Sequence, residues 1–271
     1  MKKYYWITLI VLFPIFQAVC ATSGLREIPM SEVETALDQP IPEHPRLFID
    51  EQDLADIKAL ADREPLAGAF AKAIVEKADT ILNEKPVRRI MTGRRLLGVS
   101  RDCLDRVIHL AFAYRWTGNR AYLEKAEREM LAAAGFEDWN PSHFLDVAEM
   151  TTALAIGYDW LYDELSDSSR EAIRAAIRQK GIEPALRDHG WVRGNNNWNQ
   201  VCNGGITTGI FAILENERAL AAELVHRAVN GVQVAMREYE PDGAYPEGPG
   251  YWAYGTTYNV VFLSALESVL G

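Results

Sequence analysis

The chain has little with which to build a cross-linked or metal-held fold. Only three of its 271 residues are cysteine, and Cys20, Cys103 and Cys202 form no CxxC pair. That excludes a disulfide framework of the kind small secreted domains use. Histidine is also scarce, five residues with no HxH or HExxH spacing, so neither a metal site nor a cofactor is expected. Alternating apolar and polar runs of strand length are missing, which argues against a sheet. Basic residues are in the minority, 28 against 38 acidic, for a formal charge of −10; such a chain is a poor partner for nucleic acid.

The apolar run from Tyr4 to about Phe16 is shorter than the roughly 20 residues that a membrane span needs. It lies between Lys2 and Lys3 and the small residues Ala18 to Ser23. That order is a secretory signal peptide, expected to be cleaved near Ala21, so the mature chain is exported to the periplasm or beyond without stable membrane insertion. Loss of residues 1–21 removes two lysines and no acid, leaving an even more acidic protein. An acidic polymer could then bind only at a locally neutral or basic site. Residues 22–43, polar and proline-containing, read as a linker or arm, and 44–271 as one domain.

Within that domain the spacing is helical almost throughout. Leu54, Ile57, Leu60 and Ala61 recur at three and four, as do Leu104, Val107, Ile108, Ala111 and Phe112. The joints are short: "TGN" at 117–119, and "LSDSSRE", where Ser168 and Glu171 have capping-box spacing. "LENERALAAELVHRAV" faintly echoes "WTGNRAYLEKAEREML", with Arg120 and Arg218 in register. Helix hairpins in series follow, closing into a toroid or running as a solenoid. The final "TYNVVFLSALESVLG" is an apolar-periodic helix without a convincing stop, as expected of a chain cut within a longer pattern.

Three segments carry candidate chemistry. "RGNNNWNQVCNGG" (193–205) crowds five asparagines and a glutamine beside an apolar run. On a helix from about Asn196, residues Asn196, Asn199 and Asn203 form a polar stripe that either faces water or lines a cavity, unless the run is a loop with an N-cap. Gly204, Gly205 and Gly209 cost helix stability and point to close approach by a neighbour or ligand. "EYEPDGAYPEGPGYWAYGTTYN" combines turn chemistry with five tyrosines and Trp252, a composition suited to the apolar faces and polar edges of sugar rings. "SHFLDVAEMTTALAIGYDWLYD" places His143, Asp146 and Glu149 on one face at a helix start; paired carboxylates can act as acid and base, or simply suit the helix dipole.

Together with "HPRLFID" (44–50), these motifs resemble the N-terminal helical domain of heparinase II/III-type polysaccharide lyases, whose relatives include alginate lyases. The resemblance runs from His44 to the end. It implies an all-α fold, an incomplete (α/α) toroid of antiparallel hairpins, with the family's C-terminal β-sandwich outside this chain. It also implies β-elimination on a polysaccharide with 4-linked uronic acid, an acidic polymer being the expected partner. Matched by motif, Asn197 becomes the neutraliser of the substrate carboxylate, with Asn196 and Asn199 as alternates. Tyr251, or Tyr254 one turn on, becomes the tyrosine that handles the C5 proton and the leaving oxygen. Neutral amides suit that task, because proton abstraction beside a carboxylate builds up negative charge that an acidic side chain would oppose.

Trp198 stands where some relatives carry a catalytic histidine, so His189 or His143 is expected to supply one. Arg193 is the nearest cation in sequence, and a tyrosine, ordinarily ionising near pH ~10, needs such help to act as a base. Glu149, Glu247, Trp198 and Trp252 complete the expected substrate contacts. A glycoside hydrolase using Asp146, Glu149, Asp242 or Glu247 is the alternative, and a non-catalytic carbohydrate-binding module a third. The basic stretch "KPVRRIMTGRR" (85–95) reads as a solvated loop or as a place for sulfate groups.

Overall fold

The computed structural model describes residues 25–187 and 189–271; the expected signal peptide, 1–21, lies outside the described residues. The chain forms α1 (Met30–Leu37), α2 (Glu51–Arg63), α3 (Pro65–Ile81), α4 (Leu97–Thr117), α5 (Arg120–Ala134) and α6 (Phe144–Trp160). It continues with α7 (Asp167–Ala176), α8 (Glu183–Ala185), α9 (Asn197–Ala212), α10 (Arg218–Met236) and α11 (Pro249–Leu270). Among the described residues no strand occurs, only the isolated bridge Thr92–Arg95, and no helix is long and apolar enough to cross a membrane. The fold is all-α, as the periodicity predicts.

Helix ends follow local chemistry. Gly118 takes the left-handed conformation (φ 74°) that ends α4, and the Asn119 side chain accepts a hydrogen bond from Ala121 N to start α5. Arg120 and Arg218, matched in sequence, are the first residues of α5 and α10. The cap of α7 differs from expectation. Ser166, not Ser168, accepts from a backbone N–H, that of Ser169 at 3.2 Å.

All residues of α6 are buried, and in α9 all but Trp198. These two helices lie against each other, with α4 on the other flank of α6 and α11 on the other flank of α9; α3 and α5 cover α4, and α10 covers α9. A helix enclosed on all sides must be apolar, small or internally hydrogen-bonded all round. Here the glycines permit the enclosure: a Cβ on Gly205 would lie 2.6 Å from the Ala148 carbonyl oxygen, and one on Gly204 would lie 2.8 Å from that of Tyr258. The close approach expected at these glycines is by the backbones of α6 and α11.

The lead segment expected as a loose arm is docked over its described part. Asn230 exchanges hydrogen bonds with the Ile28 backbone (2.9 and 3.0 Å), and Gln233 does the same with Arg26 (3.1 and 2.8 Å). Val33 and Leu37 of α1 are buried, and α1 lies on α10. Eight residues are too few for an autonomous helix, so periodicity alone could not reveal it; packing on α10 supplies the stability.

"HPRLFID" fastens the domain's first residues to the far end of α6. The Asp159 carboxylate accepts from the backbone N–H of Arg46 and Leu47, and His44 Nδ1 lies 2.6 Å from it. His44 stacks on Tyr162 at 3.9 Å, and Glu215 takes Arg46 at 2.8 Å. Burial opposes charge on His44, as does Arg46, but the bonds to Asp159 and Glu215 outweigh both and raise its pKa. Burial likewise opposes charge on Glu215, yet His44 and Arg46 hold its carboxyl at about 2. A raised histidine stabilises below its unfolded value of 6.5 and loses this as pH rises through the folded value. A depressed carboxyl stabilises above 4.5 and loses this as pH falls toward about 2. The expected result is a melting temperature that declines as pH rises above neutrality, and a flatter decline in His44→Gln, read by thermal melts across pH.

Candidate functional site

The first two turns of α4, α6, α9 and α11 meet at one end of the helix row. Arg101 of α4 reaches Glu149 of α6, and Tyr254 of α11 reaches the same carboxylate. His143, which precedes α6, sets its ring against Trp198 of α9 at 4.9 Å. Four helix N-termini at one end, each carrying partial positive charge, favour an anion there despite the acidic chain.

Glu149 is the hub of this end and is only 2% exposed. Its carboxylate accepts from Tyr254 Oη at 2.6 Å, Tyr258 Oη at 2.7 Å and Arg101 Nε at 3.0 Å. Burial and the adjacent Glu149 charge push the Tyr254 and Tyr258 phenols well above the ordinary tyrosine range. The Arg101 guanidinium, 4.7 Å over the Tyr254 ring, offsets this only in part. Tyr254 is thus arranged as a hydrogen-bond donor, and its environment opposes the phenolate that a base requires. Tyr251, one turn earlier on α11, is 51% exposed. Trp252 beside it is also exposed and donates Nε1–H to Gly243 O at 2.9 Å.

Most of the amide cluster proves to be internal bracing. Asn196 caps α9, its side chain accepting from Trp198 N at 3.1 Å. Asn199 donates to the carbonyls of Val192 and Gly231, both at 3.0 Å, and Asn203 donates to Asn199 Oδ1 at 3.2 Å. Of the expected stripe, Asn196 is exposed, whereas Asn199 and Asn203 are buried and turned to backbone, tying α9 to α10 and to the turn before α9. Asn197 differs. It is 2% exposed, yet its backbone N–H (2.7 Å) and its Nδ2 (3.0 Å to each oxygen) all point at the carboxylate of Glu247. Glu247 itself is an exposed residue of the turn before α11.

The remaining candidates are dispersed. His189 gives Nε2 to the Pro184 carbonyl (2.7 Å) and packs against the rings of Phe144 and Trp191, which also touch each other, a packing role. Arg193 is exposed and lines a surface cavity of about 580 Å³ with Arg26, Glu223, His226 and Asn230, apart from the amides. His143 holds Asp146 at 2.6 Å, and Asp146 also accepts from Leu96 N and Asn140 Nδ2 (both 2.6 Å). Asp146 is thereby fully occupied in joining the loop before α4 to α6. Within the basic stretch, Arg89 pairs with Glu137 (2.9 Å) and Asp138 (2.5 Å). Cys103 and Cys202 are buried thiols, and burial pushes both upward, so neither is a nucleophile.

Sequence reading missed Arg101, Tyr258 and the Gln200 relay. Gln200 donates to Tyr239 Oη at 2.8 Å and accepts from Tyr245 Oη at 3.1 Å, fastening the tyrosine turn to α9. Tyr258 had a local signal, lying four residues after Tyr254; Arg101 had none. Among the described residues no group of three or more His, Cys, Asp or Glu is placed to hold a metal ion. No protein-family model matches the chain, and no curated protein matches it.

Proposed function

We propose that this chain is the helical domain of an exported heparinase II/III-type polysaccharide lyase, cleaving a 4-linked uronate polymer by β-elimination. In this reading α4, α6, α9 and α11 are the inner helices of an incomplete (α/α) toroid, with α3, α5, α7 and α10 outside. The observation that carries the reading is the environment of Asn197. Three contacts from two neutral N–H donors of one buried residue converge on a carboxylate, with no cation among its partners. Such donors, fixed before the reaction, stabilise charge that grows on a substrate carboxylate as the C5 proton leaves. Tyr251, entering the step as its phenolate, then takes that proton on Oη and returns it to the leaving oxygen, which ends the step with the phenolate restored. Glu149, held by Tyr254, Tyr258 and Arg101, fixes the floor beneath. Exposed Tyr251 and Trp252 supply ring faces for sugars.

The hydrolase alternative is less well supported, because three of its four carboxylates are already engaged: Asp146 by three donors, Glu149 by two phenols and a guanidinium, and Glu247 by Asn197; only Asp242, exposed and accepting from Ala244 N at 3.1 Å, is open to a substrate. The experiment is incubation with alginate, heparan sulfate and hyaluronan, following ultraviolet absorbance and new reducing ends together. Both rise for elimination; reducing ends alone indicate hydrolysis. Saturable binding with neither signal favours a carbohydrate-binding module.

A further inference from the structure

Glu247 occupies the donors that the proposed lyase reaction needs. Its carboxylate lies 2.7 Å from Asn197 N and 3.0 Å from Asn197 Nδ2, while Asn197 Oδ1 is buried without a hydrogen-bond partner. Asn197 is shut from solvent, and Glu247, an exposed residue, lies over it. The turn bearing Glu247 is attached by few side chains. Tyr245 is buried and donates to Gln200, and Gly243 O receives the Trp252 indole. Around them Ala244, Pro246 and Glu247 are exposed. Gly248, at φ 89°, joins the turn to α11 in a conformation that a side chain would resist.

We infer that residue Asn197 and the start of α9 form a carboxylate receptor, that Glu247 is its internal occupant, and that an acidic ligand must displace Glu247 to bind. The inference rests on the lyase reading for the ligand, a uronate carboxylate, and on geometry alone for the receptor. A carboxylate held by neutral donors at a helix N-terminus can be exchanged for another of equal charge without leaving either donor unpaired. The turn is then a strap, closed in the free protein and opened by substrate, and Trp252 moves with it through the bond to Gly243.

The test uses the full chain, its Glu247→Ala and Glu247→Gln variants, and two probes. Acetate, followed by NMR at the Asn197 backbone and side-chain N–H signals, reads the receptor. An oligomannuronate tetrasaccharide, followed by calorimetry with neutral mannotetraose as control, reads the ligand. The expected result is a saturable acetate shift at Asn197 in Glu247→Ala and none at equal concentration in the natural chain. Oligomannuronate should bind Glu247→Ala about tenfold more tightly, with Glu247→Gln between. Acetate leaving the Asn197 signals of both variants unmoved overturns the receptor, whatever the fate of the lyase reading. Equal or weaker oligomannuronate binding by both variants makes Glu247 a brace and overturns the strap. Acetate binding at Asn197 with no acidic saccharide bound by any of the three proteins would instead sink the uronate assignment and the lyase reading while the receptor stands.

Discussion

Glu149→Ala is expected to lower stability by about 3 kcal/mol, the sum of an orphaned buried phenol and a partly collapsed cavity. Tyr258 is 4% exposed, so its hydroxyl loses a partner that water cannot replace. Tyr254 is partly accessible and regains some hydration, and Arg101, half exposed, returns its charge to solvent at little cost. For a domain of this length the loss corresponds to a melting temperature lower by roughly 6–12 °C. Glu149→Gln should cost about half as much, since its amide oxygen still accepts from one phenol. Urea titration of Glu149→Ala, Tyr258→Phe and the double variant gives the coupling directly. A double variant no worse than Glu149→Ala is the expected outcome, and a Glu149→Ala within about 0.5 kcal/mol of the natural chain would contradict the hub.

Tyr251→Phe is expected to reverse that pattern: stability unchanged within about 0.5 kcal/mol, because the residue is exposed, and turnover of a uronate polymer reduced by about 10²–10⁴. Tyr254→Phe should do the opposite, costing about 1 kcal/mol of stability through its lost bond to Glu149 and leaving turnover within about tenfold. The contrast follows from environment. A phenol pushed upward by burial and an adjacent carboxylate is a poor base, whereas one at the surface of the shared end can meet a substrate. Paired kcat and melting measurements on both variants check the order. Equal loss of turnover in the two would remove the distinction between them.

What the sequence discloses is whatever is local. Helix periodicity, the Asn196 cap and the short joints involve residues within a turn or two of one another, so the all-α class and the start of α9 were legible. The glycines at 204 and 205 announced a close approach but not by what, because the approaching carbonyls belong to Ala148 and Tyr258. Glu149 stood out as an acid within an apolar helix, yet its partners Tyr254 and Tyr258 lie 105 and 109 residues away. No spacing rule spans that interval. The amide stripe misled for a related reason: Asn199 and Asn203 satisfy carbonyls brought by the preceding turn and by α10, so their polarity faces backbone rather than ligand. Asn197, identical in type and two residues away, differs in being the first residue of α9, with a backbone N–H that the helix leaves free, and in what the turn before α11 places opposite it.

The most direct test of the central claim is to cleave an acidic polysaccharide in heavy-oxygen water and weigh the fragments. Elimination takes the leaving oxygen's proton from the protein and adds no water, so the products should carry no label beyond slow exchange at the reducing end and should be short by one water at the new non-reducing end. One heavy oxygen incorporated per cleavage, at the new reducing end and complete at the earliest times, with no loss of water at the other end, would contradict the lyase account and return the site to hydrolysis.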